Sequence, residues 1–114
     1  MAEFETVVRL DEIPDGGMKQ VVAHGEPIGL YRVGDDVYAV HDYCTHEQTE
    51  LTEGEFDPED CEVECPLHGS RFNIVTGEVR ILPATKPVAT YEVKIEDGMV
   101  QVGPQRVRSG SRRE

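Results

Sequence analysis

Cys65-Pro66-Leu67-His68-Gly69-Ser70-Arg71-Phe72, with the earlier Cys44-Thr45-His46, is the stretch on which the reading of this chain turns. Each of the two segments places one thiolate and one imidazole within a few residues. The eighteen positions between them, 47 to 64, hold no lysine or arginine. Four soft-to-borderline ligands converging from two loop tips make a closed metal site. Zinc accepts two thiolates and two imidazoles tetrahedrally, but its familiar fingers draw both cysteines from one segment and both histidines from another. A two-iron two-sulfur cluster with cysteines on one iron and histidines on the other also satisfies the mixed pairing. Spacing alone leaves both metals open.

Working outward, 114 residues allow one domain with a modest core, and 38% hydrophobic content without tryptophan keeps that core thin. A bound metal commonly stabilises so small a fold. No apolar run approaches the roughly 20 residues that cross a bilayer, and Met1-Ala2-Glu3-Phe4-Glu5 has neither the basic nor the apolar part of a signal peptide. The expectation is a soluble cytoplasmic protein. Three cysteines, two of them beside histidines, argue for metal or redox use over a disulfide scaffold. The net charge is −12; residues 103–114 carry four arginines against one glutamate, or +3, so residues 1–102 carry −15. So acidic a body repels nucleic acid and anionic membranes and favours a basic protein partner.

Short apolar alternations broken by turn residues run along most of the chain, and no stretch keeps a capped 3.6-residue period. The pattern predicts strands at 5–9, 18–23, 28–33, 37–40, 61–64, 72–75, 88–95 and 99–102. The breaks between them are Asp15-Gly16-Gly17, Gly25-Glu26-Pro27, Gly34-Asp35-Asp36, Thr76-Gly77 and Asp97-Gly98. The fold class expected is all-β, small antiparallel sheets in a sandwich or small barrel. Leu82-Pro83-Ala84-Thr85-Lys86-Pro87 has two prolines that cannot donate to a ladder, and reads as a stiff extended loop. Residues 1–103 form the expected single domain, and 104–114 read as a disordered tail. Alternation puts Cys61, Val63 and Cys65 on one strand face, with Cys61 a small buried hydrophobe. His41 reads as a polar strand-end residue and His24 as a turn residue; neither is a ligand.

The two Cys-His boxes, Gly69 and the proline loop stand in the order found in Rieske ferredoxins, and over about residues 3–102 the chain resembles that family. The resemblance implies a Rieske-like fold whose cluster-binding subdomain, about 42–84, consists of two loops plus the proline loop. It implies one [2Fe-2S] cluster, with Cys44 and Cys65 on the inner iron and His46 and His68 on the outer iron. Gly69, Ser70, Phe72 and Pro83 would lie around it. It further implies an electron carrier, not an enzyme, which takes single electrons from an NAD(P)H-dependent flavin reductase to a terminal non-haem iron dioxygenase. A nitrite reductase small subunit, an iron-sulfur-assembly ferredoxin and a zinc-stabilised interaction module are the alternatives.

Two imidazoles in place of two thiolates leave the oxidised site neutral rather than at −2, so an added electron costs less. Rieske centres accordingly span about −150 to +300 mV, against about −400 mV for all-cysteine plant-type clusters. Three departures point to the low end of that range. The extra cysteine pair of high-potential respiratory relatives is replaced here by Thr49 and Leu67, so that brace is missing. Ser70 matches one of their hydroxyl donors to sulfur, but Phe72 stands in place of the tyrosine that supplies the other. Finally, 47–64 contains nine carboxylates: Glu47, Glu50, Glu53, Glu55, Asp57, Glu59, Asp60, Glu62 and Glu64. One unit charge about 10 Å away in water shifts a one-electron potential on the order of 20 mV before screening.

Overall fold

The computed structural model describes residues 4–44, 49–67, 69–81 and 86–106. Ten strands run through them: β1 (Glu5–Arg9), β2 (Met18–Ala23), β3 (Glu26–Val33), β4 (Asp36–His41), β5 (Glu55–Asp57), β6 (Glu62–Glu64), β7 (Arg71–Asn73), β8 (Val79–Ile81), β9 (Thr90–Glu96) and β10 (Met99–Gln105). Single 3-10 turns occupy Leu10–Glu12 and Leu51–Glu53. A six-stranded sheet has the order β1-β10-β9-β4-β3-β2 and a four-stranded one the order β5-β6-β7-β8, with every strand pair antiparallel. The all-β expectation holds.

The β3-β4 hairpin is a wall between two cores, and side-chain alternation along a strand is the cause. Ile28 and Leu30 of β3, with Val37 and Ala39 of β4, point into one cluster that includes Val8, Val21, Val100 and Val102. Tyr31 and Val40 point the other way, into a cluster completed by Leu51, Val63, Phe72, Ile74 and Val88. Cys44 and Cys65 belong to this second cluster. Its fully buried Leu51 and Phe72 each contribute about 1.5–3 kcal/mol relative to exposure. The smaller sheet thus stands on a base shared with the larger one.

Several boundaries differ from the sequence reading. Strand β7 ends at Asn73, not Val75, because the Asn73 carboxamide oxygen accepts from the Val75 and Thr76 amides (2.8 and 3.0 Å) and turns the chain. Strand β6 starts at Glu62, since Cys61 has φ +56° and ends the turn from Asp57, whose Oδ1 accepts from the Glu59 and Asp60 amides. Cys61 is therefore off the strand face expected for it. It is half-buried against the second cluster, with Sγ 3.7 Å from the Pro58 carbonyl. Strand β3 begins at Glu26 and includes Pro27, so the break before it is His24-Gly25, both at positive φ. Val88 and Ala89 precede β9 as loop: the Val88 amide donates to Gly77 and the Ala89 carbonyl accepts from His41. Strands β5 and β8 were not expected.

At the C-terminal end, β10 continues through Pro104 and Gln105 after an irregularity past Val102. Arg106 donates its amide to Thr90 (2.8 Å) and its guanidinium to the Val75 carbonyl (3.1 Å). Residues 104–106 thus belong to the folded body, not to the loose tail expected from 104; 107–114 lie outside the described residues.

Candidate metal centre

Two loops leave the second core at neighbouring points. After β4 the chain passes Asp42 and Tyr43 to Cys44, whose amide donates to the Thr49 carbonyl at 2.9 Å. Tyr43 and Glu50 form an antiparallel bridge, and the Leu51 amide donates to the Asp42 carbonyl at 2.6 Å. The loop is thus closed at its base like a short hairpin, with the Cys44 side next to the core. Thr45, His46, Glu47 and Gln48 lie outside the described residues.

The second loop follows β6. The Cys65 amide donates to the Ser70 carbonyl (2.7 Å), and the Gly69 amide donates back to the Cys65 carbonyl (3.2 Å). Gly69 has φ +78°, a left-handed geometry that a side chain disfavours, which is why the tight return needs glycine. His68 is outside the described residues, as is Pro83 with its neighbours Leu82, Ala84 and Thr85. Ser70 and Phe72 are fully buried beneath the loop. Of the four ligands expected, the two thiols are described: Cys44 is 5% and Cys65 1% exposed, both in one apolar cluster. Apolar burial of two thiols at the bases of two loops, with their backbone amides already paired, fits a metal that needs water excluded from its sulfur side. Two large apolar side chains are exposed nearby in sequence: Leu67, two residues after Cys65, is 58% and Ile81, just before residue 82, 51% exposed.

The other histidines take the places expected. His41 ends β4 with Nε2 3.1 Å from Glu26 Oε1. His24, at φ +54°, has Nε2 3.0 Å from the Val102 carbonyl and receives no role in the site.

Two features escaped the sequence reading. The acidic stretch 47–64 is less unbalanced than its composition: Arg71 of β7 pairs with Glu62 (3.1 Å) and Glu64 (3.2 Å), and Arg80 of β8 pairs with Glu62 (3.3 Å). Hydrogen bonds donated by the guanidinium to Glu62 and then Glu64 push the Arg71 pKa up, so its charge is fixed. Two arginines from outside the segment therefore offset part of its nine-carboxylate charge. The second feature is Asp42, fully buried two residues before Cys44. Its carboxylate accepts from Gln20 Nε2 (2.6 Å), the Thr52 amide (2.9 Å) and Thr52 Oγ1 (2.7 Å). An acid closing an apolar strand was the available signal.

A family model described as the Rieske [2Fe-2S] domain matches residues 3–92. The anthranilate 1,2-dioxygenase ferredoxin subunit of Burkholderia cepacia is 39% identical over 102 residues, covering 90% of this chain and 93% of that protein. The solved ferredoxin of carbazole 1,9a-dioxygenase from Nocardioides aromaticivorans IC177 superposes with a TM-score of 0.86 at 35% identity, covering 89% of this chain and 97% of that one. The structure of a complex of reduced oxygenase and oxidised ferredoxin in carbazole 1,9a-dioxygenase is similar with a TM-score of 0.84 at 36% identity, over 91% of this chain and 96% of that one.

Proposed function

The chain belongs to the Rieske [2Fe-2S] family, and from that premise we propose that it is the cytoplasmic electron-transfer component of a ring-hydroxylating dioxygenase system. Cys44 and Cys65 hold one iron of the [2Fe-2S] cluster and His46 and His68 the other. Electrons come from a flavin-containing NAD(P)H reductase and leave to a terminal oxygenase. The observation that carries the reading is the pair of buried thiols sharing one apolar cluster at the bases of two hydrogen-bonded loops.

Bound there, the cluster supplies one-electron chemistry at fixed geometry. The chain's own residues do the rest. Leu51, Val63 and Phe72 keep water from the sulfur side. Gly69 lets the second loop return within one turn, and exposed Leu67 offers an apolar contact beside His68. The oxygenase partner is supported by the ferredoxin-oxygenase complex among the similar structures. The nitrite reductase subunits of similar fold are 20% and 22% identical, which shows the fold alone. Among the described residues no helix is long and apolar enough to cross a membrane.

Purified aerobically, the protein should be reddish-brown, contain two irons and two acid-labile sulfides per chain, and titrate with a midpoint below zero at neutral pH. A colourless zinc protein would sink the reading, and a midpoint clearly above zero would sink the electrostatic argument. Arg71 sharpens that argument. Its replacement in Arg71→Gln unmasks Glu62 and Glu64, and the midpoint should fall on the order of 20 mV for one charge lost about 10 Å away. Potentiometry at low and high salt checks this; a rise on substitution would contradict it.

A further inference from the structure

We infer that Asp42 is a positioning residue that locks the loop bearing Cys44 to both halves of the fold; the inference rests on the proposed role of Cys44 as an iron ligand. The carboxylate gathers three donors from two distant places. Gln20 lies on β2, an edge strand of the large sheet, and donates at 2.6 Å from 22 residues upstream. Thr52 lies in the 3-10 turn Leu51–Glu53 beyond the loop and donates both its amide (2.9 Å) and its hydroxyl (2.7 Å). The Asp42 backbone adds two more ties, its amide to the Pro27 carbonyl (3.0 Å) and its carbonyl to the Leu51 amide (2.6 Å). These ties flank the described residues Tyr43, Cys44, Thr49 and Glu50, which are joined to one another by the Cys44–Thr49 hydrogen bond and the Tyr43–Glu50 bridge.

Burial makes the clamp stiff. Asp42 is fully buried, so opening any of these bonds leaves a charged acceptor without water, the costly case for a hydrogen bond. The surroundings are tight as well. A Cβ added at Gly29 of β3 would come within 3.0 Å of Asp42 Oδ1, the Thr52 methyl and the Tyr31 hydroxyl, so it is the missing side chain at Gly29 that lets these groups pack closely against β3. The position of the Cys44 loop is thereby set by the large sheet, not only by its own short hairpin.

The experiment compares Asp42→Ala, Asp42→Asn and Gln20→Ala, with Val8→Ala as a variant destabilised in the other core. Peptide-level hydrogen exchange over residues 42–51 should be about tenfold or more faster in Asp42→Ala, since a bond to a charged group is lost. Gln20→Ala, changed at an exposed position on an edge strand, should give a smaller increase. Asp42→Asn should restore much of the protection, because its oxygen can still accept from the Thr52 amide and the Gln20 carboxamide can invert to face the new NH2. The electron paramagnetic resonance g-values of the reduced protein should shift in Asp42→Ala and return towards the parent in Asp42→Asn. Parent exchange rates in Asp42→Ala, or an equal rise over 42–51 in Val8→Ala, would overturn the clamp. Absence of iron and sulfide from the parent protein would instead overturn the ligand reading, and the exchange result would stand without it.

Discussion

Replacing Gly54 with alanine is expected to destabilise the fold strongly, because among the described glycines it is where an added methyl would meet the backbone most closely. Gly54 ends the 3-10 turn Leu51–Glu53, where its amide donates to the Leu51 carbonyl at 2.9 Å. Its α-carbon faces the backbone of the second loop: a Cβ built there falls on the Glu64 carbonyl oxygen and within 3.1 Å of the Pro66 ring. A flexible side chain could yield to such a clash, but a peptide carbonyl on the strand leading into Cys65 cannot. The turn or β6 must move, and either shift separates the two loop bases. Overpacking of this kind costs about 3 kcal/mol or more, a large part of the 5–15 kcal/mol that holds a typical domain together. Cluster loading falls with it, because a cofactor that binds only the native state stabilises only that state. Denaturant unfolding and iron content per chain measure both quantities. Gly25→Asn is the comparison: Gly25 sits at φ +77° with open space around it, and asparagine tolerates that conformation, so little should change. Full iron content and a parent-like denaturation midpoint in Gly54→Ala would refute the packing argument.

Gly54 also shows why parts of this fold could be read from sequence and parts could not. Strands β1 and β2 fall on the residues predicted, because short-range alternation and turn residues are local information. Strand β5, Glu-Phe-Asp, carries one apolar residue and no run; it is a strand because Phe56 stands opposite Val63 and its ring meets Tyr31 at 5.0 Å. Such reasons lie elsewhere in the chain. The same holds for charge. Nine carboxylates in 47–64 read as a free field until the register of β6 with β7 sets Glu64 opposite Arg71. At the candidate centre, the two Cys-His boxes stand out because they are carried by residue types and spacing, and of their four side chains the structure describes Cys44 and Cys65. The support beneath them was not legible, since the partners of the buried Asp42 lie 22 and 10 residues away and no local pattern names them.

Cys65→Ala is expected to abolish the cluster, while Cys61→Ala leaves it in place, and the contrast follows from where the backbone puts each thiol. The two cysteines are four residues apart and strand alternation would give them the same face, but β6 starts only at Glu62 and Cys61 stands outside it. Cys61 closes a turn at φ +56°, with its sulfur near the Pro58 carbonyl at the outer side of the second core. Cys65 comes after β6, 1% exposed, with its amide tied to Ser70 so that the thiol stays inside the loop. If Cys65 is the ligand proposed, its removal takes away one of the two thiolates and part of the charge that neutralises the cluster, and no other described cysteine but Cys44 is buried. Purified Cys65→Ala should therefore be colourless with negligible iron and sulfide. Cys61→Ala trims only a half-buried side chain and should cost about 1 kcal/mol or less in denaturation, with unchanged colour and midpoint. Visible absorption and iron analysis of the two variants decide the matter. Loss of the cluster in Cys61→Ala, or its retention in Cys65→Ala, would mean that the sulfur ligands are not the pair Cys44 and Cys65.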